Sequence, residues 1–271
     1  MTADKTQALV LRAIPFGETS AIVTLLTRDH GKVRGLAKGA WRPKSSFDAA
    51  LDLLSVCQVL VLRRSASSLD LLTEAFLEQR FRVGGCQAAV AAGLYLAELL
   101  DAVTVDADPQ PSLFDLARTT VGLLSQPRPG SDRARADNQA RGAASIAALL
   151  VHAELGILRE LGQQPALHRC AECGTRLEGS RIAFGLLAGG GLCPRCRRGQ
   201  RPVVSVSAAA VNLLRQLAVT PVPPDQHQPE PAALGEVRAV MNTVITNLLG
   251  RRLKTSRWLT TSLASLSETH R

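Results

Sequence analysis

Four of the six cysteines in this 271-residue chain are spaced as metal ligands. Cys170 and Cys173 form one C-x2-C pair, Cys193 and Cys196 form another, and residues 174–192 separate the two pairs. Each pair can hold a metal ion from a tight turn, and two such turns complete a tetrahedral shell of sulfurs. Soft thiolates with no open coordination position favour zinc in a structural role. The pattern therefore predicts one structural Zn²⁺ bound by all four of these cysteines.

Two other interpretations of the cysteine pairs stay open at this level. The four thiols could be unmetallated, or one pair could be a redox dithiol, although a redox role does not explain both pairs. The arginines around the pairs could contact phosphate, or they could belong to a solvated charged face. These arginines are Arg169, Arg176, Arg181, Arg195, Arg197, Arg198 and Arg201.

A second candidate site is a basic stretch between Asp29 and Asp48, which contains five cations and no acid. In an extended strand, positions 32, 34, 36 and 38 project to the same face, so three of the cations are predicted to form a row. The remaining two continue the row into the following loop. The five cations are Lys32, Arg34, Lys38, Arg42 and Lys44.

Two aromatic residues, Trp41 and Phe47, are interleaved with these cations. A basic groove with accessible rings suits single-stranded nucleic acid, because cations pair with phosphates while bases stack on the rings. The alternative is a solvated strand face with Trp41 packed inward. The formal net charge of +9 and the pI of about 9.9 make polyanions the expected partners in either case.

The elements that must position these residues change in type along the chain. Short runs rich in Leu and β-branched residues predict five strands, at 9–14, 21–27, 32–38, 56–63 and 70–77. Helical patterns follow at 86–103, 112–124, 139–161, 207–217, 232–250 and 256–266. Polar or proline-rich loops are predicted at 127–138 and 221–231.

The fold class predicted from these elements is α+β. A five-stranded barrel of the oligonucleotide-binding (OB) kind should span residues 1–80, although a small sandwich would give the same pattern. A helical domain should comprise residues 81–166 and 203–271, with a four-cysteine zinc ribbon at 167–202 inserted into it.

Several classes of function lack their sequence signatures. There is no G-x-x-x-x-G-K-[ST] phosphate loop, no H-E-x-x-H and no G-x-S-x-G, and the acidic residues do not cluster as in two-metal nucleases. The chain is therefore not expected to be an enzyme. The N-terminus does not resemble a secretory signal, and the apolar stretch 142–151 is too short to cross a bilayer. A cytoplasmic protein without a membrane partner is predicted.

The chain resembles the RecO family of recombination mediators in three regions that occur in the family's order. The first is the N-terminal pattern in segments 8–18, 23–27 and 31–39. The second is the Leu-rich helix that runs into the first cysteine pair, segment 154–174 (ELGILRELGQQPALHRCAECG). The third is the pattern of the C-terminal helix in segment 248–257.

This resemblance implies an OB-fold barrel, with Lys32, Arg34, Lys38, Arg42 and Lys44 in its basic part, and a helical domain with a zinc ribbon. It also implies binding of single- and double-stranded DNA, annealing of complementary strands, and loading of RecA onto strands covered by single-strand binding protein. The implied partners are RecR and the acidic tail of that binding protein, which would contact the helical domain. Nucleoid association in the cytoplasm is implied as well.

Two further functions fit the charge and the cysteine module equally well. One is a zinc-ribbon protein that binds structured RNA, and the other is a non-catalytic adaptor whose basic surface holds an acidic protein partner. A preference for structured RNA over single-stranded DNA would favour the first, and absence of DNA binding would favour the second.

Overall fold

The computed structural model of the chain describes residues 3–47, 49–63, 69–84, 86–125, 135–219 and 229–264, without the side chains of 135–141 and 264. It divides into two compact units. Unit 1 comprises Met1–Cys86 and Gly93–Pro127, and unit 2 comprises Gln87–Ala92 and Arg128–Arg271. The predicted loops 127–138 and 221–231 fall largely outside the described residues.

Unit 1 contains the predicted barrel. Its five strands close in the order β1-β2-β3-β5-β4, with β3 and β5 parallel and the other pairs antiparallel. Because the sheet closes on itself, its inward side chains form a single core that includes Val10, Val23, Leu25, Val59 and Leu72. The strands are β1 (Ala3–Phe16), β2 (Ser20–Thr27), β3 (Gly31–Ala37), β4 (Val56–Leu62) and β5 (Asp70–Gln79).

The first strand is longer than predicted because it pairs with two neighbours along different parts of its length. Its first half, from Ala3 to Leu9, pairs with β4, and its second half, from Ala8 to Phe16, pairs with β2. A bulge between Val10 and Arg12 separates the two halves. Such a bulge bends a strand, so β1 can serve both neighbours as the barrel closes.

The helices of unit 1 are the last part of α1 (Gln87–Val103) and α2 (Pro111–Leu124). α2 begins at Pro111, one residue before the predicted start, and proline suits the first helical position. Segment 106–108 lies against β3, where the Ala107 amide donates to the Lys32 carbonyl oxygen at 3.0 Å. The Arg28 guanidinium on the barrel also meets the Asp115 carboxylate of α2 at 3.0 Å.

Unit 2 is built around α3 (Arg135–Glu160), which begins earlier than the predicted residue 139 and packs on α4 (Ala208–Val219), α5 (Pro231–Leu249) and α6 (Ser256–Ala264). Ser207 caps the start of α4, since its Oγ accepts from the Ala210 amide at 3.2 Å. Between α3 and α4 lies a three-stranded antiparallel sheet in the order β7-β6-β8. Its strands are β6 (Arg181–Gly185), β7 (Gly190–Leu192) and β8 (Val203–Ser207).

The apolar part of α3 is longer than the sequence suggested. Segment Gly142–Glu160 is long and apolar enough, by length and composition alone, to cross a membrane. However, 78% of this window is buried inside the protein. Even the charged side chain of Glu154 within this segment is buried, and it is paired with Arg238 of α5 at 2.7 Å. The apolar side chains of α3 therefore form the core of the helical unit.

Candidate metal centre and nucleic-acid interface

The ribbon sheet and two tight turns bring the four cysteines together. Cys170 and Cys173 lie on the turn that precedes β6, and Cys193 and Cys196 lie on the turn that follows β7. The first turn closes with the Gly174 amide donating to the Cys170 carbonyl oxygen at 2.9 Å, and Gly174 has a φ of +72°. A glycine suits this position because other residues are strained there.

The sulfurs are arranged as a four-coordinate metal site requires. All four Sγ atoms lie within 4.8 Å of one another, and those of Cys173 and Cys193 are 3.7 Å apart. Zinc–sulfur bonds of about 2.3 Å place the corners of an ideal tetrahedron about 3.8 Å apart. Backbone amides also point at the sulfurs, with Cys193 N 3.4 Å from Cys170 Sγ and Cys196 N 3.5 Å from Cys193 Sγ. The donor set fits a structural divalent metal with no open position.

The thiols of this cluster differ in acidity. Hydrogen bonds from the hydroxyl and amide of Thr175 lower the pKa of Cys173 to about 6, whereas hydrogen bonding to Cys173 and Cys193 raises the pKa of Cys196 to about 12. The hydrogen bonds of the cluster thus favour ionisation of Cys173 over ionisation of Cys196. A bound cation supplies the positive charge that lets all four ionise, so metal binding must release protons.

Of the five predicted barrel cations, four are exposed to solvent and one is buried. Arg34 on β3 is 54% exposed and lies 3.7 Å from Asp106, while Lys38, Arg42 and Lys44 are exposed and form no ion pair within the described residues. The Arg42 side chain packs over Gly39, where a Cβ atom would lie 3.2 Å from Arg42 Cδ. The exposed basic face therefore consists of these four cations.

The expectation that Lys32 belongs to this exposed row is wrong. Lys32 does lie on the outer face of β3, but its side chain is only 6% exposed. Its Nζ donates to the Asp101 carbonyl oxygen at 2.8 Å and lies 3.4 Å from the Asp101 carboxylate and 3.9 Å from Asp106. The end of α1 and the segment after it cover this cation, so Lys32 holds unit 1 together.

This reassignment of Lys32 can be tested with a matched pair of variants. Lys32→Met should lower the free energy of unfolding by about 1–3 kcal/mol, because the partly buried Asp101 carbonyl oxygen loses its charged donor. It should leave the salt dependence of DNA binding unchanged. Arg34→Met should do the reverse, with little change in urea-induced unfolding and a salt slope shallower by about 0.7. A shallower slope with unchanged stability in Lys32→Met would contradict the buried role.

The two predicted aromatic residues separate in the structure. Trp41 is 47% exposed, and its amide donates to the Thr19 carbonyl oxygen at 2.9 Å, which fixes the loop after β3 against the β1–β2 turn. Phe47 is 3% exposed and belongs to the barrel core, so its predicted place among the surface cations is wrong. Trp41 alone of this pair is available for stacking.

Sequence reasoning missed a second exposed aromatic residue at the same end of the barrel as Trp41. Phe16 at the end of β1 is 54% exposed and pairs with Ser20, whose hydroxyl accepts from the Gly39 amide at 3.3 Å. Phe16 and Trp41 therefore lie at the same end of the barrel. The signal in the sequence is that Phe16 directly precedes the turn glycine Gly17, which places its ring at the end of a hairpin.

Two family models match the chain. One is described as Recombination protein O N terminal and matches residues 1–81, and the other is described as Recombination protein O C terminal and matches residues 137–257. The first match covers all five strands of the barrel. The second covers the four cysteines, nearly all of α3, the whole of α4 and α5, and the start of α6.

Curated relatives match along nearly their whole length. A "DNA repair protein RecO" from Rhodopirellula baltica is 35% identical, with 96% of this chain and 100% of the relative covered. Proteins of the same name from Anaeromyxobacter dehalogenans (31% identical, 94% and 95% covered) and Myxococcus xanthus (32% identical, 91% and 93% covered) are also similar. The name describes DNA repair and specifies no reaction.

Proposed function

Because the chain belongs to the Recombination protein O (RecO) family of DNA repair and recombination proteins, we propose that it is a non-catalytic recombination mediator. In this role it binds single- and double-stranded DNA, anneals complementary strands and helps to load RecA onto strands covered by single-strand binding protein. RecR and the acidic tail of the binding protein are its proposed protein partners. Its proposed location is the cytoplasm, in association with the nucleoid.

The observation that carries the DNA-binding part is the end of the barrel where Trp41, Phe16 and the basic loop meet. The loop supplies Arg42 and Lys44, which are exposed and form no ion pair within the described residues. The two rings offer apolar surface at the same end. Cations beside accessible rings match the two requirements of single-strand binding, phosphate neutralisation and base stacking.

The proposed mechanism needs no nucleotide hydrolysis. The barrel cations displace counterions from the phosphates of a strand, and the released counterions make binding favourable. Stacking on Trp41 and Phe16 keeps bases separated and accessible. Annealing is then driven by the stability of the duplex that forms, while RecA loading follows from local displacement of the single-strand binding protein.

The proposed metal is Zn²⁺, and its role is architectural. Four thiolates and no open position leave no site for a reacting water or substrate. When bound, the ion supplies the charge that joins the two cysteine turns. The chain itself positions the turns through the β6–β7 hairpin and the amide–sulfur contacts.

The direct test of the proposed function is annealing of two complementary labelled oligonucleotides coated with single-strand binding protein, without ATP. Addition of the protein should accelerate annealing clearly. Absence of acceleration together with absence of single-strand binding would contradict the mediator role. Stronger binding to structured RNA than to single-stranded DNA would favour an RNA-binding protein instead.

The barrel site is tested by replacing its four exposed cations with alanine, namely Arg34, Lys38, Arg42 and Lys44. The slope of log Kobs against log salt for a single strand should become shallower by about 2.8, since each phosphate contact contributes about 0.7. Affinity at low salt should also fall, because the variant neutralises fewer phosphates and its binding therefore releases fewer counterions. Fluorescence anisotropy with a labelled oligothymidine over a series of salt concentrations measures both.

A matched control removes the same charge from exposed arginines elsewhere, namely Arg118, Arg159, Arg176 and Arg252. The control should keep most of the slope, since diffuse charge loss changes contacts little. Equal loss in both variants would mean that net charge, and not the barrel face, governs binding.

A further inference from the structure

One face of the ribbon sheet forms an open groove of about 620 Å³ that the barrel site does not use. Small side chains make its floor. Ala183 of β6 stands opposite Ser205 of β8, and residues opposite each other in an antiparallel pair project to the same face. The short side chains of Ala183 and Ser205 leave room above this part of the sheet.

Three arginines line this groove. Arg181 on β6 is fixed at its floor, because Nε donates to Ser205 Oγ and Nη2 donates to the Ser205 carbonyl oxygen, both at 2.9 Å. Arg181 Nη1 also lies 3.8 Å from Glu236. Arg197 and Arg201 come from the loop after the second cysteine pair, are exposed, and form no ion pair within the described part of the chain. Two guanidinium groups thus line the groove with uncompensated charge.

The chemistry of the lining indicates the kind of ligand. Among the described residues, those that line the groove include no acid and no aromatic ring, and the other members are Gln200, Pro202, Val203 and the floor residues. Two acids lie behind the lining, where Glu172 accepts from Gln200 and Glu236 faces Arg181. The paired N–H groups of a guanidinium suit phosphate oxygens, so the sugar–phosphate backbone of a nucleic acid is a fitting ligand. Without a ring, the groove has nothing on which an unpaired base can stack, and this distinguishes it from the barrel end with Trp41 and Phe16. An acidic peptide would need a deep apolar pocket or strand pairing for specific recognition, whereas the few apolar side chains here form only a shallow surface.

We propose that this ribbon groove is a second nucleic-acid site, which binds the sugar–phosphate backbone of duplex DNA through Arg197 and Arg201. The inference rests on the proposed function, because annealing brings two strands and their duplex product to one protein. The barrel then binds unpaired bases, and the groove binds the backbone of the duplex.

The metal centre supports the groove, because the loop that bears Arg197 and Arg201 follows the second cysteine pair directly. The Arg197 amide donates to the Cys193 carbonyl oxygen at 3.0 Å, and the Gln200 amide donates to the Arg197 carbonyl oxygen at 3.3 Å. The loop that bears both unpaired arginines is therefore attached to the second cysteine turn. A bound metal holds this loop in shape, although it does not touch the ligand.

The test uses the full-length protein with its metal and a fluorescein-labelled blunt DNA duplex over a series of salt concentrations. Arg197→Ala/Arg201→Ala should weaken duplex binding at least about tenfold at moderate salt and make the slope shallower by about 1.8, at about 0.9 per phosphate. Arg197→Lys/Arg201→Lys should recover most of the slope, which shows that charge and not folding is responsible. Arg176→Ala/Arg198→Ala, which removes the same charge from the ribbon outside the groove, should behave as the wild type.

The outcomes separate this site from the barrel site. The groove variant should still bind oligothymidine like the wild type. The four-cation barrel variant should keep the part of the duplex salt slope, about 1.8, that Arg197 and Arg201 contribute. A wild-type duplex slope in Arg197→Ala/Arg201→Ala would overturn the groove proposal without touching the barrel. Equal losses of duplex affinity in the groove variant and the control variant would also overturn it. So would a groove variant that loses binding to an acidic peptide and keeps its binding to duplex DNA. An unchanged oligothymidine slope in the barrel variant would instead contradict the proposed function.

Discussion

Replacing Cys193 with serine is expected to abolish metal binding and unfold the ribbon. Cys193 is buried, its Sγ lies 3.7 Å from that of Cys173, and it receives the Cys196 amide. Structural zinc contributes about 10–16 kcal/mol of apparent binding energy in small metal-dependent domains, so losing one ligand should cost several kcal/mol of stability. Metal content per chain and the cleavage of residues 166–207 by protease measure the two effects.

Cys86→Ser is the matched control for the metal-site variant. Cys86 lies at the start of α1, outside the four-sulfur cluster, and is partly exposed. This variant should keep its metal and its protease resistance, since serine is a favourable residue at a helix start. A Cys193→Ser protein that retains one metal per chain and an intact ribbon would show that the four thiols are not the ligands.

Gly31→Ala is expected to destabilise unit 1 by about 3 kcal/mol or more, because it combines backbone strain with a steric clash. Gly31 begins β3 with a φ of +68°, which L side chains rarely adopt. A Cβ atom there would overlap the backbone of Asp108, which lies directly against it. Urea-induced unfolding followed by circular dichroism gives the change in midpoint and slope.

Gly17→Ala isolates the contribution of the clash. Gly17, in the β1–β2 turn, has a nearly identical φ of +65°, but no atom lies within 4 Å of the position its Cβ would take. Only the strain should remain, at a cost of about 1 kcal/mol. Similar losses in the two variants would mean that segment 106–108 does not press on β3.

The sequence was sufficient to predict the fold class because its local signals agree with the tertiary structure. Runs rich in Leu and β-branched residues at 21–27 and 56–63 correspond to β2 and β4, and turn residues separate the predicted strands where the barrel reverses. The cysteine spacing predicted the four-sulfur cluster equally well, since two tight turns can meet in few ways. The length of β1 was underestimated, because pairing with two neighbours is a property of barrel closure and leaves no periodic signal in 3–8.

The candidate nucleic-acid site was predicted less accurately, since exposure depends on what packs on a strand from far along the chain. Lys32 has the same periodicity as Arg34, yet Asp101, nearly seventy positions away, covers one and not the other. Phe47 faces the core because the chain turns inward after Lys44, which has a left-handed φ of 60°. Strand period alone cannot predict either event.

The short pairing between β3 and β5 has a consequence for how the barrel can be isolated. Within the described residues, the only β3 positions that pair with β5 are Gly35, Leu36 and Ala37, so the first half of β3 would be a free edge if segment 106–108 did not cover it. A fragment ending at residue 80, where the strand pattern stops, would expose those backbone groups together with the uncovered Lys32. Open edges pair with other chains, so such a fragment should self-associate, whereas one ending after α2 retains its own cover.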